Sequence, residues 1–182
     1  MTRGRKRDLA GPALVLAGTG VVTGTALGAV LARRRRRSAQ PSGEQPATVA
    51  RRALEDPWQV APEALADLVA ASYVGHDPGE PEPVRGPEGL AARIEGYRLA
   101  FADARVAVDE QVCEGERVVS RWTLRGTHTG ELAGIAATGK QVTVSGVTIS
   151  RVEDGRLVES WTSWDRLGLL VQLGAVSEPA HA

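Results

Sequence analysis

The carboxylate of Asp165 ends the alternating run Arg156 to Trp164 and precedes the apolar segment Arg166-Leu167-Gly168-Leu169-Leu170. At such a junction, beside two tryptophans and a leucine-rich cap, a carboxyl group is partly withdrawn from water. Desolvation raises its pKa toward the value a general base needs. The position equally suits a helix N-cap, where an Asp oxygen accepts from the amides of the first turn. Two imidazoles, His76 and His128, are the other groups placed to polarise or move protons near neutral pH. His76 precedes Asp77-Pro78 and His128 precedes Thr129-Gly130, so each also reads as a turn or strand-end residue.

Strand parity says which side chains accompany them. In the last strand Leu157, Glu159, Trp161, Ser163 and Asp165 fall on one face, and Val158, Ser160, Thr162 and Trp164 on the other. Between Arg117 and His128 the even positions Val118, Ser120, Trp122, Leu124 and Gly126 form a mostly apolar face that ends in the imidazole. Trp161 and Trp122 then offer an aromatic wall to a planar ligand. Glu159 either raises the pKa of Asp165 by like charge or forms a salt bridge. Arg121 faces the other way and reads as a surface charge.

Several chemistries are set aside. The three histidines stand at 76, 128 and 181 and Cys113 is the only cysteine, so no ligand set for a metal is expected and no intrachain disulfide can form. No glycine-rich loop joins a strand to a helix as a nucleotide site requires, and no serine or cysteine sits in a nucleophile elbow. No cofactor is expected.

The elements that must hold these residues are set by periodicity. Thr48 to Glu55 reads as a short helix ending before Pro57, and Pro62 opens a second that turns Leu65, Leu68 and Val69 inward. Pro87 to Ala102 places Leu90, Ile94, Tyr97 and Phe101 on one face. The period then changes to two. Arg105–Glu114, Arg117–His128, Lys140–Val152 and Arg156–Trp164 read as strands rich in Val, Thr, Ile and Trp. Three helices before four long strands imply an α+β fold, a curved antiparallel sheet wrapped around the helices to leave a conical cavity.

The two ends of the chain differ in charge. Lys and Arg number 22, as do Asp and Glu. Yet residues 1–40 hold nine basic side chains against Asp8, net +8, and the remainder 13 basic against 21 acidic, net −8. An acidic domain repels phosphate backbones, so nucleic acid is not an expected partner. From Leu9 to Ala32 no residue is charged. As a helix this stretch would span about 36 Å at 1.5 Å per residue, against a hydrocarbon core of about 30 Å. It reads as a single transmembrane helix, the five arginines Arg33 to Arg37 holding the rest of the chain on the cytoplasmic side. A cleaved signal peptide and a basic tail that only touches anionic lipid are the competing readings. The expected organisation is a basic flank at 1–8, the membrane helix at 9–32, a linker at 33–46, the folded domain at 47–174 and a disordered tail at 175–182.

An ordered series of motifs gives the chain a family resemblance. Tyr73-Val74-Gly75-His76-Asp77-Pro78, Gly86-Pro87-Glu88-Gly89-Leu90, the run Gly126 to Ile135, Ala137-Thr138-Gly139-Lys140 and Trp164-Asp165-Arg166-Leu167-Gly168 resemble the SnoaL-like polyketide cyclases, also called ester cyclases. The resemblance covers roughly residues 47 to 174. It implies the α+β cone shared with nuclear transport factor two, ketosteroid isomerases and limonene epoxide hydrolases. It also implies intramolecular aldol closure of a polyketide ring without metal or organic cofactor, and homodimerisation through the sheet. Under it Asp165 falls on the acid-base Asp, and His76 on a pocket histidine. His128 would join His76 as a donor to developing oxyanions, and Tyr73 would line the pocket with Trp122, Trp161 and Glu159. The family commonly has proline where Ala102-Asp103-Ala104 and Gly134-Ile135-Ala136-Ala137 stand here. A noncatalytic module binding a hydrophobic small molecule is the alternative on the same fold.

The anchor has a direct readout. The full chain is expected in the membrane fraction after lysis and ultracentrifugation, and a chain lacking residues 1–45 in the supernatant; identical partitioning would remove the anchor.

Overall fold

The computed structural model describes residues 44–177. The expected membrane helix at 9–32 and its basic flanks lie outside them. Among the described residues no helix is long and apolar enough to cross a membrane.

Helix α1 spans Pro46–Gln59, with Pro46 in the first turn where its missing N–H costs nothing. Val49, Ala50 and Ala53 face inward. The expectation that Pro57 stops this helix is corrected, since α1 continues through it. The ring is buried, and the Pro57 carbonyl, close to the end of the helix, accepts from Arg98 Nη1 at 2.6 Å. A 3₁₀ turn, Pro62–Ala64, and the single-turn helix α2, Leu65–Leu68, then lead straight into strand β1, Val69–His76.

That strand is the main departure from the expected fold. It pairs antiparallel with the two-residue strand β2, Val84–Arg85, and parallel with β6, Arg156–Trp164, in the register Gly75↔Ser160 and His76↔Trp161. Helix α3, Gly86–Ala100, crosses back over the sheet. The long strands β3, Arg105–Glu114, β4, Arg117–Thr127, and β5, Gln141–Glu153, complete the order β2-β1-β6-β5-β4-β3. The sheet is therefore mixed, because β1 and β6 run in the same direction. Helix α4, Arg166–Leu173, closes the domain.

Parity fixes the two faces of the sheet. In β4 and β5 the even positions Val118, Ser120, Trp122, Val142, Val144, Thr148, Ser150 and Val152 are buried beneath the helices. Gly146 sits opposite Trp122 in register, and a Cβ there would run into the indole. A glycine at this point lets the ring lie flat against β5. One apolar cluster gathers Val49, Leu65, Val69, Ile94 and Leu157, a second Phe101, Val142, Val144, Leu169 and Leu173. Trp58 of α1 packs against both.

Asp103 ties the turn after α3 to the end of β4. Its carboxylate accepts from the Thr127 backbone N–H at 2.7 Å and from Thr127 Oγ1 at 2.8 Å. These bonds, the backbone one first, hold its pKa below the usual carboxylate value. The folded state thus binds this proton less readily than the unfolded chain, and the bonds' contribution to stability is present above the unfolded pKa of about 4 and lost as pH falls through the folded one. Urea midpoints measured from pH 7 to pH 3 should show a shallower acid decline for Asp103→Asn than for wild type.

Candidate functional site

Between α1, α3 and the inner sheet face lies a cavity of about 170 Å³. Its wall is mostly apolar, with Leu54 and Trp58 from α1, Ile94, Tyr97 and Phe101 from α3, and Trp122, Leu124, Val144 and Trp164 from the sheet. Such a shape suits a hydrophobic ligand oriented by a few polar groups. Those groups converge from the β1–β6–β5 side. Tyr73 Oη and Ser160 Oγ lie 2.7 Å apart, and Trp122 Nε1 donates to Thr148 Oγ1 at 3.0 Å, with Thr162 Oγ1 3.0 Å beyond. Burial pushes the Tyr73 phenol up, against the pull of its Ser160 hydrogen bond and of the nearby Arg93, so it stays a proton donor. Gly75 leaves room for this phenol, which a Cβ at that position would meet.

Among the described residues that line the cavity, Asp77 is the only one with a carboxylate. It comes directly after β1 at the parity of Tyr73 and Gly75, which turns it inward, and its side chain is 12% exposed. Oδ1 accepts from Gly79 N at 2.8 Å and Oδ2 from Trp164 Nε1 at 3.0 Å. Hydrogen bonds to a charged group contribute about 1.5–3 kcal/mol each, and the removal of one partner of a buried charge costs still more. Trp164 stands edge-on to Tyr97, ring centroids 6.1 Å apart, and carries the Arg166 guanidinium 5.3 Å over its face. Arg166 donates to Gly79 O and, at 2.7 Å, to Glu80 Oε1, latching the loop after Asp77. Arg93 Nη1 stands 3.8 Å from Asp77 Oδ2, and its Nη2 3.8 Å from Glu80 Oε2. A second pocket, lined also by Leu132 and Arg166, shares Arg93, Tyr97, Trp164 and Leu169 with the cavity.

The residues expected from the sequence divide between the two faces. Tyr73 and Trp122 line the cavity as expected. Asp165 does not: it is exposed and caps α4, Oδ1 accepting from Gly168 N at 2.7 Å. This corrects the expectation of a desolvated carboxylate, and the reason is a register shift between β5 and β6. Arg151 pairs with Glu159 but Val152 with Leu157, so Val158 is an extra residue that moves Ser160, Thr162 and Trp164 inward with Leu157. Glu159 and Trp161 are thereby turned to the outer face, which corrects their assignment to the pocket. His76 contributes to the cavity wall, but its ring stacks on Trp161 at 5.5 Å and its Nε2 meets Glu159 Oε1 at 3.1 Å. Hydrogen bonds from His76 first, and then from Arg151, hold the Glu159 carboxyl below its ordinary range.

His128 lies outside the cavity wall and is fully buried. Thr138 N donates to its Nδ1 at 3.2 Å, Thr138 Oγ1 lies 3.1 Å from the same nitrogen, and the Phe101 ring packs 5.2 Å away. The imidazole therefore organises the 128–140 loop through Nδ1, while its buried Nε2 has no hydrogen-bond partner among the described residues. Asp77, Trp164, Arg93 and Tyr97 are the site residues that sequence reasoning missed. The alternation Tyr73, Gly75, Asp77 would have found the first of them once Val69–His76 was read as a strand. Among the described residues no cluster of His, Cys, Asp or Glu could hold a metal ion.

A family model for SnoaL-like polyketide cyclases matches residues 48–173. Aklanonic acid methyl ester cyclase DnrD of Streptomyces peucetius is 30% identical over 112 residues, covering 60% of this chain and 77% of that protein. Wild-type IdmH of Streptomyces antibioticus superposes with a TM-score of 0.63 at 32% identity, over 72% of this chain and 99% of that one. A ketosteroid isomerase-like fold from Catenulispora acidiphila superposes with a TM-score of 0.59 at 18% identity, over 72% of this chain and 95% of that one, a likeness of fold alone.

The capping role of Asp165 is measurable. Asp165→Ala should lower unfolding free energy by about 1 kcal/mol and Asp165→Asn by much less, since Asn caps nearly as well. Equal losses in urea titrations would remove the cap as the explanation.

Proposed function

Because the chain belongs to the SnoaL-like polyketide cyclase family, we propose that it closes a ring in a hydrophobic, polyketide-like carbonyl compound by intramolecular aldol-type condensation, using side chains alone. The observation that carries this reading is the carboxylate of Asp77 in the wall of a mostly apolar cavity. An aldol closure begins with removal of a proton from a carbon next to a carbonyl group, and a carboxylate held by an indole N–H and a backbone N–H is a fixed acceptor for it. The electron pair of the broken C–H bond becomes the enolate. The carbon attacks a second carbonyl of the same molecule, a C–C bond forms, and the alkoxide takes the proton back from Asp77. Trp122, Trp164 and Phe101 hold the reacting chain folded, so the two carbonyl groups meet without loss of further orientational freedom. Anchoring through residues 9–32 would bring this chemistry to a membrane surface, where an apolar substrate partitions.

Turnover without the natural substrate is readable as deuterium exchange at the activated carbon of 2-tetralone in D₂O, monitored by NMR. Asp77→Asn should slow the protein-catalysed exchange by about 10²-fold or more, while Asp165→Asn stays within a few-fold of wild type. The reverse pattern would return the proton-transfer role to Asp165. A wild-type rate no higher than buffer, with 2-tetralone bound, would leave a binding module in place of an enzyme.

A further inference from the structure

Arg93 is the charged group of the cavity whose hydrogen-bonding capacity is unspent. Its side chain is 22% exposed and lines both the cavity and the adjoining pocket. The two ion pairs it makes, to Asp77 and Glu80, are both 3.8 Å long, beyond hydrogen-bonding distance, and it makes no hydrogen bond with the described residues. Its neighbour Arg166 is the contrast, with both terminal nitrogens committed to Gly79 O and Glu80. A guanidinium is a rigid fork of donors suited to an oxyanion, and a ligand oxygen in the cavity would take donors that no described residue fills.

We propose that Arg93 is a catalytic residue that takes the anionic oxygen of the enolate formed when Asp77 removes the substrate proton. The inference rests on the aldol reading above and adds the group that stabilises its intermediate. The charge balance of the step favours it. Before proton transfer the negative charge is on Asp77 Oδ2, 3.8 Å from Arg93 Nη1. Afterwards Asp77 is neutral, the C–H electron pair forms the enolate double bond, and the carbonyl π pair rests on oxygen. A cation standing between the two positions loses one anionic partner as it gains the other, so the charge moves only a short distance. When the new C–C bond forms, the enolate oxygen returns to a carbonyl and the Asp77 proton goes to the alkoxide, which restores the starting pair.

The test uses two probes, 2-tetralone and its aromatic enol analogue 2-naphthol. Bound 2-naphthol, titrated by the absorbance of its naphtholate, should have a pKa about 1 unit or more below the free compound in wild type, and Arg93→Gln should abolish that shift. In the exchange assay Arg93→Gln should lower the saturated rate about 10²–10³-fold with half-saturation changed only a few-fold, and Arg93→Lys should recover part of it. An unchanged naphthol pKa in Arg93→Gln, or a loss confined to half-saturation, overturns the assignment, as does failure of 2-naphthol to bind at its solubility limit. The two readings fail separately. A naphthol shift that depends on Arg93, with exchange indifferent to Asp77→Asn, would keep the oxyanion site and reject the base.

Discussion

The hydrogen bond from the Trp164 indole to Asp77 Oδ2 joins the ends of two parallel strands and is the contact on which the site depends. A carboxylate facing an apolar cavity is costly unless its oxygens are occupied, and here one is held by the indole and the other by the Gly79 amide. The indole can make this bond because the extra residue in β6 turns Trp164 inward, and it keeps its angle because Tyr97 meets its edge and Arg166 covers its face. Asp165, the next residue along, caps α4 and so fixes where β6 ends. Two adjacent residues thus divide the work: the tryptophan holds the carboxylate inside, and the aspartate holds the backbone that aims the tryptophan.

Most of the architecture was legible from periodicity alone. The four long strands begin and end within a residue or so of where the alternation of Val, Thr and Ile places them, and the inward face of β4, with Trp122, is the one that parity predicts. Strand β1 was not legible as a strand. Val69-Ala70-Ala71-Ser72 carries little β propensity, and the pairing with β6 slips between Val69 and Val74. Missing that strand hid the inward alternation of Tyr73, Gly75 and Asp77. The other error has the same origin, because one bulge at Val158 exchanged the faces on which Glu159, Trp161 and Asp165 would otherwise have met the ligand. A motif can bring the right neighbourhood to attention while the side chain that enters the cavity is the one beside it, as Asp77 is beside His76.

The two faces of the sheet carry different electrostatics. On the outer face His76, Glu159 and Arg151 form a partly exposed chain of polar contacts over Trp161, which Arg117 also covers at 5.6 Å. Solvent screens such pairs, and they contribute little individually. On the inner face the charges are few and enclosed. Polar character there is concentrated in hydroxyl and indole groups that satisfy one another, with Asp77 and Arg93 as the oppositely charged pair of the cavity wall.

The parallel pairing of β1 with β6 has a consequence for biosynthesis. The carboxylate and the indole that holds it are 87 positions apart in sequence, with the whole β3–β4–β5 meander between them. That meander can assemble from near neighbours as it leaves the ribosome, but a contact of such long range forms late. A nascent chain that stops short of Trp164 would possess most of the sheet and still lack a held carboxylate. The carboxylate therefore acquires its hold all at once, with the last strand.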